Sequence, residues 1–145
     1  MAGASCIFCQ IIEGEIPSRT VYEDEAARAF LDVNPLAPGH ALVVPRAHRA
    51  RLQDLDDAEA AGLWGAVQAV VPAVETAVDA DASTVGVNNG EASGQEVPHV
   101  HVHVVPRFLG DGGGPIHVVA GKRPSLSDAE LDDIADSISS NVAVD

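Results

Sequence analysis

The segment Pro98-His-Val-His-Val-His-Val-Val105 constrains this chain more than any other. In an extended strand, successive side chains point to opposite faces. His99, His101 and His103 therefore share one face, and Val100, Val102 and Val104 share the other. A helix would scatter both rows. The valine face needs a core to cover it. The imidazole face needs partners, because buried polar rings are costly unless hydrogen-bonded or ligated.

The neighbouring sequence supplies elements for such a sheet. Residues 20–23 and 26–32 read as strands around the acidic turn Asp24-Glu25, and residues 40–44 as a short apolar strand after the turn Pro35-Leu-Ala-Pro-Gly39. Residues 82–88 read as a further strand. Asp56 with Glu59 forms a capping-box pattern, after which Leu63, Val67, Val70, Val71, Val74 and Val78 recur at helical spacing. Pro72 lies inside that pattern and is expected to kink or divide the helix. Ser127 with Glu130 caps a second, shorter helix reaching about Ile138. The fold class is thus α+β: about five mostly antiparallel strands with one long and one short helix. Residues 1–110 form the principal domain, and residues 111–145, beyond the glycine-rich stretch, an extension expected to pack on it.

With 46% apolar residues but only 3% aromatic, the core must rest on Val, Ala, Leu and Ile. There are 22 acidic residues against 8 basic ones, for a net charge of −14. That balance disfavours stable nucleic-acid or anionic-membrane partners. It suits a salt-rich, halophilic cytoplasm, where screening shortens to roughly 3 Å at about 1 M salt. The start Met1-Ala-Gly-Ala-Ser5 has no basic or apolar leader character, and no apolar run is expected to reach the roughly 20 residues of a membrane span, so a cytoplasmic location is expected.

Two chemistries use three imidazoles in a row. Neutral imidazoles bind zinc and related ions, so a metal-dependent hydrolase with His99, His101 and His103 as ligands is one reading. An imidazole is also a good nucleophile at neutral pH, with its neighbours orienting it and meeting the leaving group. Cys6 and Cys9, the only cysteines, have the Cys-x-x-Cys spacing of a metal site but provide two ligands of the usual four.

The flanking residues favour the second chemistry. His99-Val-His-Val-His-Val-Val105 resembles the defining motif of the histidine-triad family, and similarity extends over about residues 6 to 108. Cys6-Ile-Phe-Cys-Gln-Ile-Ile12 resembles the amino-terminal signature of prokaryotic members. Phe30-Leu-Asp-Val-Asn-Pro-Leu-Ala-Pro-Gly-His-Ala-Leu-Val-Val-Pro45 resembles their ribose-binding turn and following strand. The resemblance implies a nucleotide hydrolase or transferase acting on a nucleoside 5′-phosphoryl compound, a phosphoramidate or dinucleoside polyphosphate, without a catalytic metal. It implies His101 as nucleophile, with His103, His99 and His40 around it. It further implies Asp32 on the ribose hydroxyls, Asn88 and Gln95 on the phosphate side, and a homodimer. Structural zinc held by Cys6, Cys9, His48 and His99 is the implied cofactor. Glu96 stands where some members carry a small hydroxyl residue that touches phosphate, and is expected to turn away from it. A non-catalytic nucleotide-binding or regulatory module using the same pocket is the alternative.

Overall fold

The computed structural model describes residues 5–143. Its chain divides into two compact units, one ending at Gly113 and one beginning at Gly114. The first contains α1 (Ile7–Ile12), β1 (Thr20–Glu23), β2 (Ala27–Leu31), β3 (Ala41–Pro45), α2 (Asp57–Val78), β4 (Ala82–Gly86) and β5 (Val102–Arg107). The five strands form one sheet in the order β1-β2-β3-β5-β4. Every ladder in it is antiparallel. The second unit contains α3 (Asp128–Asn141), begun by a capping box between Ser127 and Glu130 as its sequence implies.

Alternation gives each face of the sheet its own partner. Ala27, Ala29, Ala41, Val43, Val102 and Val104 pack with Leu63, Ala66, Val67, Val70 and Val74 of α2. Phe30, Leu42 and Val44, which alternate with them, pack with Phe8, Cys9 and Ile11 of α1. The small alanines on the first face let α2 sit close. At Gly62 the approach is closest, since a methyl group there would overlap the Cβ of Ala26. Gly62→Ala should therefore destabilise the protein by about 1–3 kcal/mol through overpacking, despite the roughly 1 kcal/mol that alanine gains in helix propensity. Thermal unfolding measures the balance; an unchanged or raised midpoint would show that the helix simply shifts outward.

Three sequence expectations change. Helix α2 runs unbroken through Pro72. Pro72 and Gln68, whose carbonyl loses its helical partner, both lie on the exposed side, where solvent can offset the lost bond. The same helix, at 22 residues with a mean hydropathy of 1.3 in its most apolar window, is long and apolar enough to cross a membrane by length and composition. Here it carries the core-facing residues named above. Finally, α1 was not anticipated. It is six residues long, begun by the Cys6 side chain accepting from the Cys9 amide. A helix that short does not form from its own propensity.

Candidate active site

β5 starts at Val102, three residues later than the alternation suggests. Before it, the His99 amide bonds to the Val97 carbonyl and the Val100 amide to the Arg49 carbonyl, so this stretch leaves the sheet ladder. Val100 still enters the α2-side core, and the histidines lie on the α1 side. The three rings nevertheless divide between two sites.

His101 and His103 line a cleft of about 770 Å³ together with His40, Asp32 and Asn88. Ile7, Phe8, Ile11, Ile16, Phe30 and Leu42 make its apolar wall. Nδ1–H of His101 donates to the His99 carbonyl at 2.8 Å, which leaves the Nε2 lone pair free. A second chain of bonds fixes the neighbouring rings. The Leu36 amide donates to His40 Nδ1 at 3.0 Å, so His40 carries its proton on Nε2. That Nε2–H donates to His103 Nδ1, also at 3.0 Å. His103 in turn carries its proton on Nε2. A nucleophilic lone pair and a hydrogen-bond donor thus occupy rings whose centroids are 5.1 Å apart.

Burial keeps this chain neutral. It lowers the pKa of His40, partly opposed by the Asp32 carboxylate, whose Oδ2 lies 3.6 Å from His40 Nε2. It pushes His103 down to about 4, helped by charge repulsion from His101 and His40 and again opposed by Asp32. A folded-state pKa below the unfolded value contributes stability above the unfolded pKa and loses it as pH falls toward the folded one. His103 should therefore cost the fold up to about 3 kcal/mol between pH 6.5 and pH 4. Urea unfolding of the native chain and His103→Asn across that range would reveal the difference; parallel curves would mean His103 charges freely in the fold.

His99 turns away from the cleft. Its Nε2–H donates to the Pro45 carbonyl at 2.8 Å, which leaves Nδ1 bare. That atom lies 3.5 Å from Cys6 Sγ, 3.6 Å from Cys9 Sγ and 3.3 Å from His48 Nδ1. Cys9 Sγ to His48 Nδ1 is also 3.3 Å. Around one tetrahedral zinc, with bonds of roughly 2.05 Å to nitrogen and 2.3 Å to sulfur, the corresponding edges would be about 3.3 and 3.6 Å. The four residues could hold a metal, and the Pro45 bond is the outer-shell support such a histidine needs. No metal-holding group among the described residues joins His99 to His101 or His103, so the reading with all three as ligands of one catalytic metal loses its support.

Other expected residues are placed as follows. Asp32 Oδ1 accepts from the Asn34 amide, while Oδ2 faces His40 within the cleft. Asn88 lines the cleft beside Gly94. Gln95 is not part of the lining. Its Nε2 donates to the Ala50 and Val97 carbonyls, and its Oε1 accepts from Gly90. It therefore braces the loop carrying Asn88 and has no hydrogen left for a phosphate. Glu96, expected to turn away, is exposed on the rim of the cleft. Arg107 pairs with Asp111 at 2.8 Å and with Thr84, which makes it a structural cation. Phe8 is not announced by the sequence: the Cys-x-x-Cys spacing points to the sulfurs, and the contact of the ring with His101 appears only in the fold.

The comparisons agree with this geometry. The HIT domain family model matches residues 13–110. An uncharacterised HIT-like protein of Methanocaldococcus jannaschii is 47% identical over 107 residues, covering 74% of this chain and 82% of its own. The adenosine 5′-monophosphoramidase of Saccharomyces cerevisiae is 40% identical over 104 residues, covering 72% of this chain and 63% of its own. A bis(5′-nucleosyl)-tetraphosphatase of Schizosaccharomyces pombe is 38% identical over 96 residues, covering 66% and 53%. The crystal structure of a HIT family member from Bacillus subtilis superposes with a TM-score of 0.86 at 35% identity, covering 97% of this chain and 99% of that one. A zinc-bound histidine triad family protein from Mycobacterium smegmatis superposes at 0.71 and 32% identity, covering 94% and 96%. With the triad, the cleft and the five-stranded sheet all in place, the chain belongs to the HIT family.

Proposed function

We propose that this chain is a nucleotide hydrolase or transferase that cleaves a nucleoside 5′-phosphoryl compound through a covalent intermediate on His101. The single observation that carries this reading is the bond from His101 Nδ1–H to the His99 carbonyl, which aims an unprotonated Nε2 into the cleft beside a donor on His103. Relatives named as a phosphoramidase and as a tetraphosphatase support the reaction class. In the first step the Nε2 lone pair forms a bond to the α-phosphorus. The bond from phosphorus to the leaving group breaks, and that group departs with the electron pair toward His103 Nε2–H. The leaving group takes the His103 Nε2 proton; water then attacks phosphorus and returns a proton to that nitrogen, the N–P bond breaks with its electron pair left on His101 Nε2, and a nucleoside monophosphate leaves.

Asp32 Oδ2 is suited to accept from ribose hydroxyls, since an ionised carboxylate offers only acceptors. Asn88 adds a neutral amide on the phosphate side. The apolar wall takes the base. Zinc on Cys6, Cys9, His48 and His99 is structural in this reading. It would lock α1 to the segment before β5 and supply no step of the reaction. The assembly we propose is a homodimer through the outer face of α2, where Trp64 is 44% exposed; light scattering giving a monomer mass would end that part.

Purified protein incubated with adenosine 5′-phosphoramidate and with a diadenosine polyphosphate tests the reaction. Release of adenosine monophosphate, insensitive to chelator on the timescale of the assay, is expected. Rates should rise from low to high potassium chloride, because a net charge of −14 repels an anionic substrate until salt screens it. Nucleotide binding without turnover at any salt concentration would leave a non-catalytic binding module.

A further inference from the structure

We propose that Phe8 is a positioning residue through which the metal cluster holds the nucleophile, so that metal at Cys6, Cys9, His48 and His99 and nucleotide in the cleft bind cooperatively. The inference rests on the nucleotide reading of the cleft given above. Its basis is that one short element serves two sites. Cys6 and Cys9 begin α1 and point their sulfurs into the cluster. Between them, Ile7 and Phe8 face the cleft, followed one turn later by Ile11. The ring of Phe8 meets the ring of His101 edge-on at 5.0 Å, that of His99 at 5.9 Å and that of Phe30 at 5.5 Å. It is buried, at 7% exposure, so it has little room to move without moving His101.

A second connection is covalent. His99 offers its ring to the cluster and its carbonyl to His101 Nδ1. A metal that fixes the His99 ring also fixes the carbonyl that sets the nucleophile's tautomer. Six helical residues are far below the length at which a helix is stable alone. What orders α1 is therefore the cluster at its start and the sheet beneath it. A nucleotide bound against Ile7, Phe8 and Ile11 needs α1 in place, and a metal on Cys6 and Cys9 puts it there. Each ligand lowers the ordering cost that the other meets, and linkage makes the effect reciprocal.

The full chain, zinc-loaded and chelator-stripped, would be titrated calorimetrically with adenosine monophosphate, and zinc affinity measured by chelator competition with and without that nucleotide. Stripping should weaken nucleotide binding roughly tenfold, and nucleotide should tighten zinc by the same factor. In Phe8→Ala, zinc uptake persists while the coupling factor falls, the part carried by the His99 carbonyl remaining; Phe8→Tyr, which keeps the ring, restores it. Equal nucleotide affinity in the two states, or undiminished coupling in Phe8→Ala, overturns the proposal. If the stripped chain unfolds, the zinc-loaded variants decide. A kcat loss of tenfold or more in Phe8→Ala, beyond the rise in KM that loss of a cleft-lining ring brings, recovered in Phe8→Tyr, supports positioning, and native kcat in Phe8→Ala overturns it. A chain that takes up no zinc yet turns substrate over overturns the coupling and leaves the reaction standing. A zinc-loaded native chain that binds no nucleotide overturns the reading of the cleft, and the coupling falls with it.

Discussion

Replacing His101 with alanine is expected to lower turnover of a nucleoside 5′-phosphoryl substrate by roughly 10³-fold or more, with nucleotide binding largely kept. The size follows from what is removed. The remaining cleft still offers Asp32, Asn88 and the His103 donor, so the substrate can sit in place. None of these can take over the attack. His103 has its Nδ1 lone pair engaged by His40 Nε2, and burial makes the ring hard to charge. His40 has its own lone pair engaged by the Leu36 amide. Among the described histidines lining the cleft, His101 is the one with a bare nitrogen facing it. Stopped assays of monophosphate release, with calorimetric binding as the control for folding, give the comparison. A variant within tenfold of the native rate would remove His101 from the role of nucleophile.

Replacing Cys9 with serine should produce the largest loss of stability, and removing metal with a strong chelator should mimic it. Structural zinc sites in small domains are worth about 10–16 kcal/mol of apparent folding free energy in peptides. Here the sheet and α2 form a separate core, so only a part of that is at stake, of order 3 kcal/mol or more. Serine keeps the shape but is a poor ligand, and Cys9 Sγ faces both His48 and His99. With the metal gone, the buried His99 imidazole, the half-buried His48 and the buried Cys6 thiol are left to satisfy one another. Metal content by elemental analysis and unfolding in urea should fall together in Cys9→Ser. Native protein that purifies without metal and unfolds at the same urea concentration as the variant would show that the four residues are merely a packed cluster of side chains.

The strands were legible because alternation is a local property. Val43 and Leu42 differ in face for a reason visible in the sequence alone, whereas the register that sets Ala29 opposite Val43 rests on contacts between strands. The triad motif was legible for the same reason. What the sequence hid depends on contacts between distant segments. Helix α1 exists because Phe8 and Ile11 reach the sheet, and nothing in its six residues announces it. The division of the triad between two sites depends on the Pro45 carbonyl, 54 residues from His99 in the chain. Gln95 looked like a phosphate ligand until Ala50 and Gly90 were found to use its amide. That Pro72 does not divide α2 depends on its exposed position, which periodicity alone does not fix.

The two-faced strand carries a further consequence for how such a chain can vary over time. Inserting or deleting one residue between Val100 and Val104 would exchange the two rows, sending imidazoles against α2 and valines into the cleft. Chemistry and folding would fail in the same event. Length changes are thus closed to this strand, whereas in the loop from Asn88 to Gly94 only Asn89 and Gly90 are tied down, and the exposed residues 91–94 have room to lengthen. New substrates should accordingly be acquired through that loop and the rim residue Glu96, with the strand kept at its length.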